Sequence, residues 1–273
     1  MPELPEVETI ARGLREWGLA GARMERVQLL REDVANVGAS EFERRLRGRK
    51  VTEVCRRGKN LVLHVEGNVA VVMHLGMSGQ VLLAERKAPR TAHTHLAISF
   101  ANRDRELRFR DARRFGFVRV YECGVGETPG CLLGLGPEPA QIGARELGEI
   151  AEGSRRAIKN VLMDQRKIAG IGNIYADEIL HRAGISPTRE ANGLSKEETG
   201  RLGRAMRTVL AEAIRCGGSS VSDYVLPTGK LGYFQERHRV YGKEGERCPR
   251  CGEVIRRIVL GGRGTHYCAT CQR

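Results

Sequence analysis

Met1-Pro2-Glu3-Leu4-Pro5-Glu6-Val7-Glu8-Thr9-Ile10 opens the chain and carries two readings at once. One is a helix start. Pro5 suits a first helical turn, Glu6 and Glu8 suit the positive end of the helix dipole, and Val7, Ile10 and Leu14 share one face. The other is chemical. With Met1 removed, Pro2 ends the chain as a secondary amine, with Glu3 beside it. A free α-amino group has a pKa of roughly 7.7–8.0, against about 10.4 for lysine, so much of it is uncharged near neutral pH. A secondary amine adding to a sugar aldehyde gives an iminium, an electron sink that lets neighbouring bonds break. Glu3 can move protons next to it. The readings are compatible, because a helix beginning just after Pro2 would hold the terminus still.

After this helix, residues 23–125 read largely as strands. Leu61–Val65, Val69–Leu75, Leu96–Phe100, Leu107–Arg110 and Phe117–Tyr121 are short β-type runs. Gly67-Asn68 and Asn102-Arg103-Asp104 are turn signals between them. Residues 40–47 suit a short helix started by Ser40. Repeated short strands with turns predict an antiparallel sandwich with the first helix along it. Gly and Pro residues crowd 122–150, where strand periodicity stops. Beyond them the period is helical. Ala157, Ile158, Val161 and Leu162 line one helix, 174–183 form a second, and a third starts at Ser195 with Glu198 in a capping-box pattern. Gly217-Gly218 ends it. Residues 219–240 are Gly-rich and polar without periodicity, as in a mobile functional loop. The expected division is 1–125, a linker at 126–147, a helical domain at 148–240 and a zinc hairpin at 241–273.

The chain has 273 residues with 46 Lys and Arg against 33 Asp and Glu, a net charge of +13. That excess suggests a polyanionic partner, with nucleic acid ahead of a membrane surface. It is spread through folded-looking sequence and is not gathered in one tail. No run of about 18 apolar residues occurs, so no membrane helix is expected. No secretory signal is recognised, so the eight cysteines are expected reduced.

Four of them form Cys248-x-x-Cys251, sixteen intervening residues, then Cys268-x-x-Cys271. Two such pairs match a tetrahedral zinc site, and four thiolates leave no open position, so the zinc is structural. Between the pairs, Arg256–Leu260 and Thr265–Tyr267 read as strands joined through Gly261-Gly262-Arg263-Gly264. Arg263 then sits at a hairpin tip, suited to a phosphate or base edge, or simply solvated. Gly170-x-Gly172-Asn173 before a helix is either a phosphate-binding turn, with Lys159 adding charge, or an ordinary helical corner. Lys59, in Arg56-Arg57-Gly58-Lys59, is a surface turn residue or a contact to phosphate or the reacting atoms. Met77, in His74-Leu75-Gly76-Met77-Ser78-Gly79, sits in a turn where a methionine is hard to bury. With Phe115 and Arg113 of Arg113-Arg114-Phe115-Gly116 it could wedge into a base stack, although Phe115 also suits a strand start in the core. His93 and His95 alternate, so at most one faces a given surface.

Together these residues resemble the formamidopyrimidine-DNA glycosylase family, over essentially the whole chain. The resemblance rests on P-E-L-P-E-V-E-T at 2–9, R-R-G-K at 56–59, H-L-G-M-S-G at 74–79, R-R-F-G at 113–116, L-G-P-E-P at 135–139, G-I-G-N-I-Y-A-D-E at 170–178 and the hairpin ending G-R-G-T-H-Y-C-A-T-C-Q. It implies an α+β protein. An N-terminal helix plus antiparallel β-sandwich domain is followed by a helix–two-turns–helix domain with a four-cysteine zinc β-hairpin and a lesion loop at 219–235. It also implies a bacterial, cytoplasmic monomer that binds damaged duplex DNA, with one structural zinc ion and no organic cofactor. By this resemblance Pro2 attacks C1′ of the damaged nucleotide, Glu3 is the acid/base, Lys59 assists β-elimination, and Arg263 grips phosphates and assists δ-elimination. Asn173 and Lys159 would hold the DNA backbone. Met77, Arg113 and Phe115 would fill the void left by an extruded base, with His74 and His93 as further DNA contacts. Three places depart from the family pattern: Ala112, the loop residues Leu226–Lys230, and Ser154-Arg155-Arg156, where Arg155 is taken as the phosphate contact. The alternatives are a relative resembling endonuclease VIII, acting on oxidised pyrimidines, and a catalytically silent damage-binding protein.

Overall fold

The first helix, α1 (Leu4–Glu16), starts where the Pro–Glu pattern places it. Glu3 is the N-cap residue, and Glu3 and Glu6 form a reciprocal capping box in which the Glu6 carboxylate accepts the Glu3 N–H at 2.8 Å. Val7, Ile10, Ala11 and Leu14 are fully buried, and α1 packs on the edge pair of the first sheet. The computed structural model describes residues 1–273, and its contacts divide the chain into two compact units.

Unit one is Met1–Leu133 with Cys216–Tyr233. Two four-stranded antiparallel sheets make its sandwich. One has β2 (Val51–Arg57), β3 (Asn60–Val65), β4 (Val69–His74) and β8 (Phe117–Glu122) in that spatial order. The other runs β1 (Met24–Leu29), β6 (Thr94–Phe100), β7 (Arg105–Arg110), β5 (Gln80–Glu85). Inward side chains of both sheets, among them Leu61, Leu63, Val71, Val118, Ile98, Leu107 and Phe109, join one core with α1. The strands expected in β3, β4, β6, β7 and β8 are present. β1 and β2 carried no distinct run in the sequence because only one residue in three faces inward at their starts. Helix α2 (Ala39–Leu46) covers β1. Ser40 does not cap it. The cap position is Gly38, and Glu32 Oε1 accepts the Ala39 N–H at 2.6 Å.

The segment 216–233, expected with the helical domain, belongs to unit one. The Ser219 N–H donates to Glu6 Oε1 at 2.7 Å, the buried Tyr224 hydroxyl donates to the Gly217 carbonyl at 3.0 Å, and the Leu83 N–H donates to the Pro227 carbonyl at 2.8 Å. Its two ends meet closely. A Cβ on Gly232 would lie 2.4 Å from the carbonyl oxygens of Gly217 and Gly218, so only glycine fits there.

Unit two is Gly134–Arg215 with Phe234–Arg273. It contains α3 (Ala144–Glu152), α4 (Ile158–Met163), α5 (Asn173–Ala183), α6 (Lys196–Arg215) and the hairpin β9 (Arg256–Leu260) with β10 (Arg263–Tyr267). The Ser195–Glu198 capping box forms as the sequence predicts, with the Ser195 N–H on Glu198 Oε2 at 2.8 Å. No helix is long and apolar enough to cross a membrane. Because Leu14 is completely buried at the α1–sheet contact, Leu14→Ala should cost about 2–5 kcal/mol, read as a lower urea midpoint for unit one.

Candidate active site and DNA-binding residues

The chain terminus sits in a pocket of charges within unit one. Pro2, Glu3 and Lys59 are all buried, with Glu3 3 % and Lys59 6 % exposed. Burial pulls the α-amine of Met1, which precedes Pro2, below its ordinary value of 8.0. Glu3 and Glu6 push it back up, Lys59 pushes it down, and Asp223 adds a weaker upward push. These groups lie within electrostatic reach of one another although Lys59 and Asp223 are far from residue 3 in sequence. Lys59 is placed by the two-residue turn Gly58-Lys59 between β2 and β3, where Gly58 has φ 57°. The guanidinium of Arg56 ties that turn to α1. It donates to Glu8 Oε2 at 3.0 Å and to the Gly58 carbonyl at 3.0 Å.

A second group in unit one collects the side chains expected to touch DNA. Met77 and Phe115 are 39 % and 58 % exposed, unusual for large apolar side chains, and the Arg113 guanidinium lies 4.9 Å from the Phe115 ring centre. Phe115 is therefore not a core residue. His93 is exposed and lies in a turn at φ 65°, while His95 on β6 is buried. His74 stacks on Phe117, and its Nδ1–H donates to Asn60 Oδ1 at 3.0 Å. Burial, then the nearby Lys59 charge, lowers the His74 pKa, against a raising hydrogen bond with the Lys59 backbone.

Unit two corrects two expectations. Lys159 is not a surface cation. It is fully buried, its ammonium lies 2.7 Å from Asp177 Oδ1, and it donates to Thr265 Oγ1 at 2.8 Å and to the Gly264 carbonyl at 3.2 Å. Asn173 does not cap α5. Gly172 occupies that position, and Asn173 Nδ2 donates to the Gly264 carbonyl at 2.9 Å. Both residues grip the strand that carries Arg263. The Asn173 Oδ1 atom is buried without a partner, a free acceptor for an N–H or O–H and not for a phosphate. The hairpin turn is tighter than expected. Leu260 pairs with Arg263 across Gly261-Gly262 alone, with φ 56° and 74°, a type I′ geometry. Arg263 is thus the first residue of β10 and is exposed. It borders a cavity of about 190 Å³ shared with Arg156, Asn160 and Gly261. Arg156 is ion-paired with Asp164 at 2.8 Å, and Arg155 is exposed.

The four cysteine Sγ atoms lie within 4.8 Å of one another, with Cys251–Cys268 at 3.4 Å and Cys248–Cys271 at 3.9 Å. A zinc tetrahedron with Zn–S of about 2.3 Å has edges of about 3.8 Å, so the donor set fits. Burial and hydrogen bonds from the other three thiols push Cys271 up to about 12, so four thiolates here require a cation. His181 on α5 reaches this cluster, with Nε2 3.4 Å from Cys248 Sγ, and fixes the ligand from outside.

Sequence reasoning missed the buried carboxylates that hold these parts. Glu6 bridges the Glu3 and Ser219 N–H groups. Glu178 accepts the N–H groups of Arg239, Val240 and Tyr241 at 2.9–3.0 Å. Burial raises the Glu178 pKa against those bonds. Asp177 and Asp111 are the others. Local signals existed for Asp111, an aspartate two residues before a turn residue whose N–H it can accept, and for Glu6, three residues after the cap residue Glu3.

Three family models divide the chain into the parts of a zinc-finger DNA glycosylase. The formamidopyrimidine-DNA glycosylase N-terminal domain matches 1–118, that family's H2TH domain 133–225, and the zinc finger found in FPG and IleRS 245–273. The formamidopyrimidine-DNA glycosylase of Xanthomonas campestris pv. campestris is 45 % identical over 276 residues, covering 100 % of both chains, and that of Bacillus cereus is 41 % identical, covering 100 % of this chain and 99 % of the relative. The crystal structure of MutM (FPG) from Thermus thermophilus superposes with a TM-score of 0.87 at 44 % identity over 99 % of this chain and 98 % of that one. Lactococcus lactis Fpg in complex with DNA containing an abasic site does so at 0.88 and 34 %, covering 99 % of each. The chain belongs to the formamidopyrimidine-DNA glycosylase family. Its zinc finger carries one structural zinc.

Cys271→Ser should lower zinc content from one equivalent towards none by metal analysis. Duplex binding should weaken at least about tenfold, while unit one keeps its own unfolding transition, because structural zinc supplies the folding energy of such hairpins.

Proposed function

We propose that this DNA glycosylase of base excision repair is bifunctional, removing 8-oxoguanine and formamidopyrimidines from duplex DNA and then cleaving the strand. The observation that carries the reading is the burial of Pro2 together with Glu3 and Lys59. With Met1 removed, the Pro2 nitrogen is a secondary amine, and its uncharged form is a nucleophile. The Lactococcus lactis relative has been solved with DNA containing N7-benzyl-Fapy-dG as well as with abasic DNA, which supports the same substrate class here.

In this scheme the Pro2 nitrogen, freed by loss of Met1, bonds to C1′ as the C1′–N glycosidic bond breaks and the base leaves with a proton. Glu3 donates a proton to the ring oxygen, and opening of the sugar leaves the iminium. The iminium acidifies the C2′ hydrogen. Its removal expels the 3′ phosphate, with Lys59 assisting, and a second elimination expels the 5′ phosphate. Arg263 holds phosphate, Met77, Arg113 and Phe115 fill the vacated space, and His74, His93, Arg155 and Asn173 are assigned to DNA. Lys159 acts on DNA only through the Arg263 strand. The enzyme works as a monomer in the bacterial cytoplasm, and its affinity falls steeply with salt as Lys and Arg displace counterions.

The test is cleavage of duplexes carrying 8-oxoguanine opposite C or an oxidised pyrimidine. The expected result is preference for the purine lesion and phosphate at both ends of the gap. Glu3→Gln should cut excision about 10²–10⁴-fold, the usual weight of general acid–base catalysis. Preference for the pyrimidine lesion would favour the endonuclease VIII-like reading. Binding without cleavage of either would favour the silent one.

A further inference from the structure

The exposed side chains of the second group, Met77, His93, Arg113 and Phe115, come from three separate loops. All three loops converge on Asp111, which is completely buried at the end of β7. The Ser78 hydroxyl donates to Asp111 Oδ1 at 2.5 Å, and the Arg113 N–H is shared between Ser78 Oγ at 3.1 Å and Asp111 Oδ1 at 3.2 Å. The Gly116 N–H donates to the other oxygen, Oδ2, at 2.7 Å. The backbone of Asp111 completes the junction. Its N–H donates to the His93 carbonyl at 3.0 Å, and its carbonyl accepts the Nε2–H of buried His95 at 2.7 Å.

The packing around this carboxylate leaves no slack. A Cβ on Gly76 would stand 2.5 Å from the Gly116 nitrogen and from the Phe115 carbonyl carbon, and one on Gly116 would stand 2.5 Å from the His74 carbonyl oxygen. The loop bearing Met77 therefore lies directly against the loop bearing Phe115. Two residues of these loops, His93 and Arg114, have φ of 65° and 55°, conformations that persist only where the surroundings over-determine them. An acceptor-only carboxylate satisfied by side-chain and backbone donors is the type of buried network that fixes one geometry.

We propose that Asp111 is the positioning residue that makes Met77, Arg113 and Phe115 one preorganised wedge, so that the protein does not order three loops while it extrudes a base. Asp111 itself touches no substrate. This inference rests on the assignment of those three side chains to the vacated space. Asparagine cannot replace the aspartate fully, because its amide NH₂ must stand where an oxygen accepts either the Gly116 N–H or the Arg113 N–H.

The experiment compares Asp111→Asn with wild type on two duplexes, one with 8-oxoguanine opposite C and one with a preformed abasic site. Extruding a stacked base costs more than extruding a bare sugar, so the variant should lose about tenfold or more in excision of the base and less than about threefold at the abasic site. Ser78→Ala, which removes one donor and keeps the aspartate, should shift the same ratio in the same direction by a smaller factor. The thermal midpoint of each variant is measured alongside. An equal fall on both duplexes, or no fall on either, would overturn the proposal, since a merely structural aspartate lowers the active fraction for every substrate alike. Loss of the wild-type activity on 8-oxoguanine would instead refute the function on which the wedge assignment rests.

Discussion

The Glu6 carboxylate is the constraint on which unit one depends. One oxygen accepts the Glu3 N–H and fixes the first turn of α1. The other accepts the Ser219 N–H, so a segment more than 200 residues away returns to the start of the chain. Tyr224 adds a second tie, its hydroxyl 3.3 Å from the Glu6 carbonyl. Gly218 stands at this crossing with φ 81°, a conformation that favours glycine, and a Cβ there would lie 2.7 Å from Glu6 Oε1. A terminus is normally the most mobile part of a domain. Here its first turn is held from both sides, by the Glu3 N–H and by the returning segment at Ser219.

The same device recurs wherever the functional residues gather. Glu178 holds the turn at 239–241 against α5. Asp177 pairs with Lys159 and accepts the His266 N–H at 2.9 Å, which sets the strand that begins with Arg263. Asp111 gathers three loops. A buried ion pair adds little net stability compared with an apolar pair, but it penalises every arrangement that leaves one charge unpaired. These carboxylates therefore contribute geometry more than stability. The exposed arginines and aromatics project from a frame that is already set.

Much of this was legible from residue order. The zinc cluster follows from two Cys-x-x-Cys pairs, and the third helix of unit two from Ser195 and Glu198, because ligand spacing and capping are local. The core strands could be read where both faces are buried, as in β3 and β4, and were obscured in β1 and β2, whose charged faces dilute the pattern. The corrections at Lys159 and at the Asn173 cap have one cause: nothing near these residues in sequence announces the Gly264 carbonyl that takes their hydrogen bonds. Long-range polar pairing was invisible for the same reason at Glu6 and Asp177. The return of 216–233 to unit one depends on contacts with residues 6 and 83, which no local signal can report.

The proposed nucleophile is the main-chain nitrogen of Pro2. Borohydride reduction during reaction with a lesion-containing duplex, followed by peptide mapping of the protein–DNA adduct, tests it most directly, with the intact mass measured first to establish loss of Met1. The expected result is a stable adduct on the N-terminal peptide, attached at Pro2. An adduct on Lys59, or none from Met1-free, zinc-loaded protein that still binds the duplex, would contradict it.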